Sequence, residues 1–372
     1  MKKYFCIIFV LGLLIWPYIS FGQESGAGEE EIFHARILEV IDEKISVRED
    51  GSTSIQQKLK LKGLDGNWKD KEFVFDGTQY DVVSANQYQV GNKVVVTYST
   101  DVDGNNVFYV IDYVRQGILY WLALLFTVVV IVVGRLKGLR ALVVLLLTFL
   151  VILKFIIPRI LAGNNPLFIS IVGSLAILIL AIYITEGLKR TSTIAVVSIF
   201  IALVITGLFS IWFTALTKLT GFAGDEAIYL TSLAGGQLNV KGLLLAGIII
   251  GALGVLDDVV IAQVSLVREL RGASPLLPKM QIYKKAMKVG ISHMSAMVNT
   301  LFLAYAGVSL PLLILFSIKE PPFLTFNQVL NNEMVATEIV RTLTGSIGLV
   351  LAVPIATLLA VQFVKIKKEG IT

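Results

Sequence analysis

Seven apolar stretches dominate the chain: Ile118–Val133, Leu139–Ile157, Leu167–Ile184, Ile194–Leu216, Leu243–Ala262, Ile291–Ile318 and Leu343–Val364. A helix needs about 20 apolar residues to cross roughly 30 Å of hydrocarbon, and each stretch comes close to that length. Composition agrees. Of 372 residues, 55% are hydrophobic and 16% charged, against roughly 25% charged in soluble chains, and mean hydropathy is +0.78. The expected fold is an α-helical polytopic membrane protein of about seven spans over residues 118–364. A small exported all-β domain precedes the spans, and a short tail, 365–372, follows them.

The first 22 residues read as a signal peptide. Lys2 and Lys3 form a basic start, Phe5–Ile15 an apolar stretch, and Ser20 and Gly22 a small-residue cleavage context. Cleavage after Gly22 removes Cys6, the one cysteine, which excludes a disulfide scaffold and cysteine-ligated metal sites. An uncleaved anchor helix is the alternative, with the same sidedness downstream.

Residues 23–117 have a soluble texture, with 17 Asp and Glu against 10 Lys and Arg. Leu59 and Leu61 alternate with Lys58, Lys60 and Lys62, and Val94, Val96 and Tyr98 alternate along their run, the period of half-buried strands. Turn signals separate them at Asp50-Gly51, Asp65-Gly66, Asp76-Gly77, Gly91-Asn92 and Asp103-Gly104. Five or six short strands in this length suggest an OB-like barrel. Asp101, Asp103, Asn105 and Asp112 match part of a calcium-loop spacing, but Asn106 stands where glycine is needed and Asp112 where a bidentate Glu is needed. A plain hairpin turn fits better.

Charge sets the sidedness. The segments expected inside carry fourteen Lys and Arg, at 135–140, 189–190, 268–288 and 365–368. Those expected outside after the β domain carry five: Arg159, Lys218, Lys241, Lys319 and Arg341. This is the asymmetry of the positive-inside rule, with the β domain outside and the C-terminus cytoplasmic. The net charge of +5 therefore reflects topology and a lipid bilayer partner, with no nucleic acid implied.

Only two carboxylates fall inside a span, Asp257 and Asp258. An ionisable group there costs at least about 2.5–3.5 kcal/mol on insertion scales and points to function. Asp257 lies about 21 Å along the fifth span from Leu243, at 1.5 Å per residue. At 100° per residue Gly247, Gly251, Gly254, Asp258 and Ser265 share a stripe, which predicts close approach of a neighbouring helix with Asp258 at the contact. The sixth span offers Ser292, Ser295 and Asn299 on a polar stripe at the same depth, with His293 beside it. The pair could pass a proton or hold a cation among these oxygens; alternatively, it could lock two helices together through Ser and Asn. No metal is specified.

Glu338 and Arg341, one turn apart at the outer end of the last span, read as an ion pair at the mouth of a packing seam made by Gly345, Gly348, Ala352 and Ala356. An outer gate is a lesser reading. Pro354 removes a backbone donor and suggests a kink. The segment 218–241 has room for a short or re-entrant helix.

Three blocks resemble one family: Gly247–Arg271 (GIIIGALGVLDDVVIAQVSLVRELR), Ile291–Phe316 (ISHMSAMVNTLFLAYAGVSLPLLILF) and Glu338–Pro354 (EIVRTLTGSIGLVLAVP). They are similar to the YibE/F-like family of bacterial multi-pass membrane proteins. The resemblance covers the membrane region and implies a cytoplasmic-membrane location, with transport suggested for some members. It also implies an Arg-Asp ahead of His293, where Ile291 and Ser292 stand here.

Enzyme readings find little support. Intramembrane aspartyl proteolysis needs aspartates on two helices, and serine proteolysis needs a Ser–His pair for which His293 is the one base within a span. No phosphate loop, dinucleotide fingerprint or other cofactor motif occurs. Two expectations remain. One is a secondary transporter or permease for a small solute or ion using Asp257 and Asp258. The other is a non-transporting envelope scaffold whose β domain binds an extracytoplasmic protein.

Overall fold

The computed structural model describes residues 31–47, 53–79, 87–100, 106–233 and 238–364. The expected signal peptide, the tail 365–372, and Asp101, Asp103 and Asn105 of the calcium-like spacing lie outside the described residues. The chain forms two compact units whose boundary falls at residues 129 and 130.

In the first unit, alternation does what its period requires. Leu59 and Leu61 on β2 (Thr53–Gly63) and Val94 and Val96 on β4 (Lys93–Thr100) are fully buried. Lys58, Lys60 and Lys62 point the other way, to Asp76 (2.8 Å), Glu72 (2.9 Å) and Asp70 (3.0 Å). With β1 (Glu31–Val47), β3 (Glu72–Asp76) and β5 (Asn106–Tyr113) they make one antiparallel sheet in the order β3-β2-β1-β4-β5. Register shifts at Ile37/Glu39 and Val40/Asp42 let the long β1 curl. The edges β3 and β5 meet through the stacked rings of Phe73 and Phe108 (4.4 Å). No ladder joins them among the described residues, so the sheet is a half-barrel. Trp68 caps its core against Phe33, Phe73, Tyr98 and Phe108. Gly63 makes this possible: a Cβ there would sit 2.0 Å from the Trp68 carbonyl oxygen.

The rest is helical: α1 Gln116–Val151, α2 Ile157–Leu161 after a π turn at Ile152–Ile156, α3 Pro166–Thr185, α4 Arg190–Leu216, α5 Asp225–Leu233, α6 Val240–Ala273, α7 Lys279–Val308, α8 Leu310–Ile318, α9 Phe326–Asn331 and α10 Glu333–Phe363. Among the described residues, six helical stretches are long and apolar enough to cross a membrane. The first, Gln116–Leu161, holds both of the first two expected spans, and the expected loop between them shrinks to one non-helical residue, Arg135 (φ 49°, ψ −131°). The sixth expected span is also divided. Helix α7 ends at Val308 and α8 restarts with Pro311 in its first turn, where a missing N–H costs no hydrogen bond. Helix α10 runs through Pro354, and the 218–241 segment contributes the short α5.

The main core of this unit joins α3, α4, α6 and α10 through Leu178, Ile182, Ile199, Leu203, Ile249, Leu256, Val260 and Ala356. Three of the polar residues inside it are satisfied locally, Ser198, Thr206 and Ser210 each donating to the carbonyl four residues back. The buried hydroxyls of Ser170, Ser174 and Thr214, by contrast, have no partner among the described residues.

Candidate functional site

Helix α6 carries the aspartate pair. Its start is fixed by Asn239, whose side chain accepts from the Gly242 N–H at 2.8 Å. Its inward face is chosen by bulk: Ile249, Leu253, Leu256, Val260, Val264 and Val267 are all buried. The glycine stripe is therefore turned outward. Gly247, Gly254 and Asp258 are exposed, and a Cβ on either glycine would meet nothing within 4 Å. This corrects the expected close helix contact there. Glycine offers no area to bury, so the aliphatic side chains win the core face. Only Gly251 has a neighbour, the Tyr305 hydroxyl, 2.9 Å from where its Cβ would stand.

Asp257 is half-buried, and its Oδ1 accepts from the backbone N–H of Asp258 at 2.9 Å. The Asp258 carboxylate has no protein partner among the described residues. The expected partners on α7 stand elsewhere. Met294, Met297 and Val298 pack inward with Val255, Val259, Leu349 and Val353, which leaves Ser292, Ser295 and Asn299 exposed on the opposite side and His293 half-buried. None of the four hydrogen-bonds to the aspartates among the described residues, so the Asp pair is not the lock between α6 and α7.

That lock is Gln263, which the sequence reading missed. Its Nε2 donates to the Ala286 carbonyl (3.0 Å) and to Thr357 Oγ1 (2.7 Å), tying α6, α7 and α10 together. Thr357 passes its own proton to the Val353 carbonyl at 2.7 Å. Gly290 is needed beside it, since a Cβ there would stand 2.8 Å from both Gln263 Nε2 and Val353 Cγ1. The available signal was a glutamine in an otherwise apolar stripe, Leu256–Val260–Gln263–Val267. One turn further, Arg271 donates to the carbonyls of Val361 (2.5 Å) and Val364 (2.9 Å), satisfying the end of α10.

The other end of α10 borders a cavity of about 510 Å³. Asn332 caps the helix by accepting from the Met334 N–H. Glu333 accepts from Thr220 N–H and Oγ1 (2.7 Å each) and Gly221 N–H (3.0 Å), pinning the segment that leads to α5. Gly221 holds φ +93°, with the Val240 carbonyl oxygen 2.7 Å from its missing Cβ. The cavity is walled by α5, α6, α8 and α10, and Thr337, Glu338 and Arg341 line it beside Glu226 and Gly247. Glu338 Oε1 and an Arg341 terminal nitrogen are 3.5 Å apart, the spacing expected of the outer ion pair. Of the seam glycines, Gly348 is packed against Thr206, whereas a Cβ on Gly345 would stand 3.9 Å from Leu301 Cδ2. The cavity and the aspartates are separate places: Gly247 and Asp258 are about 16 Å apart along the helix axis.

No curated protein and no solved structure matches the chain. A family model described as YibE/F-like protein does, over residues 122–366, which takes in the helical region with the aspartates, Gln263 and the cavity. The chain belongs to the YibE/F-like family.

Proposed function

We propose that the chain is a secondary transporter or permease for a small solute or ion, acting without covalent chemistry. Family membership and six long apolar helices fit a membrane protein. In this reading it sits in the bacterial cytoplasmic membrane, with the OB-like β domain outside and the C-terminus inside, as the distribution of Lys and Arg supports. It crosses seven times, because the 46 residues of Gln116–Leu161 extend about 69 Å, twice the hydrocarbon thickness, around the break at Arg135.

The observation that carries the proposal is Asp258: a carboxylate within an apolar helix, exposed, with no side chain answering it. Such a group is costly to keep and is retained where a proton or cation engages it. The test is thermal stability of purified wild type and of the Asp257→Asn/Asp258→Asn variant across pH and a panel of cations, followed by flux into liposomes. A pH- or cation-dependent response in wild type, lost in a folded double variant, supports the reading. A wild type that responds to nothing, beside a variant that only melts earlier, refutes it. The search would then turn to a scaffold role through the exposed Ile32, Tyr109 and Ile111 of the β domain.

A further inference from the structure

The cavity at the start of α10 holds polar groups whose bonding capacity is unused. A guanidinium carries five N–H donors, yet among the described residues that of Arg341 makes no hydrogen bond. Its one polar approach is the 3.5 Å contact to Glu338, and its Nε is buried without a partner. Thr337, only 3% exposed, is in the same state. Other threonines of this helix behave differently: Thr344 and Thr357 donate to the carbonyl four residues back at 2.6 and 2.7 Å. Both of these atoms lie beneath the cavity surface; the donors open to an acceptor such as a carboxylate are the terminal nitrogens of Arg341, whose side chain is one-third exposed.

A simple anion is not what the wall fits. Glu338 sits beside Arg341, and Glu226 also lines the cavity, so a ligand must offer positive as well as negative charge. The remaining wall is apolar, with Leu244, Leu312 and Met334, and Gly247 leaves open room. The volume of about 510 Å³ lies in the usual range for small-molecule sites.

We propose that this cavity binds a small zwitterion with an apolar side chain, of the free α-amino acid type. Its carboxylate sits on the terminal nitrogens of Arg341, its ammonium on Glu338, and its side chain against Leu244, Leu312 and Met334. The site stands apart from Asp257 and Asp258, so binding here is independent of the transport reading.

The test is binding of radiolabelled L-leucine to the full chain in lipid nanodiscs, with 3-methylbutylamine and 4-methylpentanoate as competitors that each lack one charge. Saturable binding is expected, with each competitor at least about tenfold weaker than unlabelled leucine. Arg341→Gln and Glu338→Gln should each weaken binding at least about tenfold, while Asp257→Asn/Asp258→Asn should leave it intact. Absence of saturable binding of leucine, methionine and phenylalanine to folded wild type would overturn the proposal. So would equal competition by 4-methylpentanoate, or unchanged binding in folded Arg341→Gln. An ion response lost in the aspartate variant, without any leucine binding, would reject the cavity site and leave the transport reading standing.

Discussion

Replacing Gly348 by alanine tests how tightly α4 and α10 cross. The new Cβ would lie 1.9 Å from Thr206 Oγ1, 3.1 Å from its Cβ and 3.3 Å from its Cγ2. Ordinary contact begins near 3.4 Å, so the helices must part by about 1.5 Å or Thr206 must turn away. Turning helps little, because its methyl and Cβ are also close and its hydroxyl would give up the 2.8 Å bond to the Ala202 carbonyl. Overpacking of this kind costs about 1–3 kcal/mol. Better helix propensity returns up to about 1 kcal/mol. The net loss should be about 1–2 kcal/mol. Thr206→Ala on its own should cost less than about 1 kcal/mol, and in the double variant the nearest remaining approach is 3.1 Å to a Cβ. The double variant should thus regain most of the loss, a coupling of about 1 kcal/mol or more in a double-mutant cycle. Equilibrium unfolding in mixed micelles reads it out. The packing argument fails if Gly348→Ala is as stable as wild type, or if it costs as much with alanine at 206.

Two further outcomes are expected. Gln263→Met keeps the length and apolar fit of the side chain but removes both donated bonds, and should cost about 1 kcal/mol; adding Thr357→Val should bring little further loss, as both polar partners are then gone. A Gln263→Met variant as stable as wild type, or losses that simply add in the double variant, would show that Gln263 is not the tie. In the β domain, burial raises the Asp65 carboxyl, but the bonds from the His34 backbone N–H (2.6 Å) and ring outweigh it and hold the carboxyl below its ordinary value. Because the folded value is depressed, its stabilisation is present above about pH 4 and lost as pH falls through that lowered value. Hydrogen-exchange protection around His34 and Leu64 in the full chain should therefore fall on acidification in wild type and much less in Asp65→Asn; parallel profiles would reject the link.

The elements were largely legible because their signals are local. Period-two alternation around Leu59 and Val94 is enough to orient a half-buried strand, and apolar length is enough to mark a helix. The strand order was not legible, since β1 meets β2 in a local hairpin but meets β4 only through pairs 57 to 67 residues apart, from Arg36 with Lys93 to Glu31 with Tyr98. Nor was the inward face of α6. In a helix apolar on nearly every side the periodic signal is weak, and glycine was read as contact where aliphatic bulk decides. The same inference succeeded at Gly348, where a threonine on α4 fills the space. Glu338 and Arg341 were visible as an i, i+3 pair, but the cavity around them is assembled from α5, α6, α8 and α10. Gln263 was visible as an anomaly and was passed over because a neutral amide draws less notice than a charge.

The two ends of the α6–α10 pair are joined by different kinds of force, and this sets where the pair can yield. Near residues 263 and 357, and again at 271 and 361–364, directional hydrogen bonds hold the helices. Near the cavity they meet through Leu244, Ile248 and Val340, contacts that tolerate sliding because burial has no preferred direction. From Thr357 to Arg341 is about 24 Å of helix. With the fulcrum at the bonded end, a swing of about 5° carries Arg341 through roughly 2 Å, enough to make or break a hydrogen bond. Because Glu333 ties the same end of α10 to Thr220 and Gly221, any such swing has to carry the segment leading to α5 with it or break those bonds.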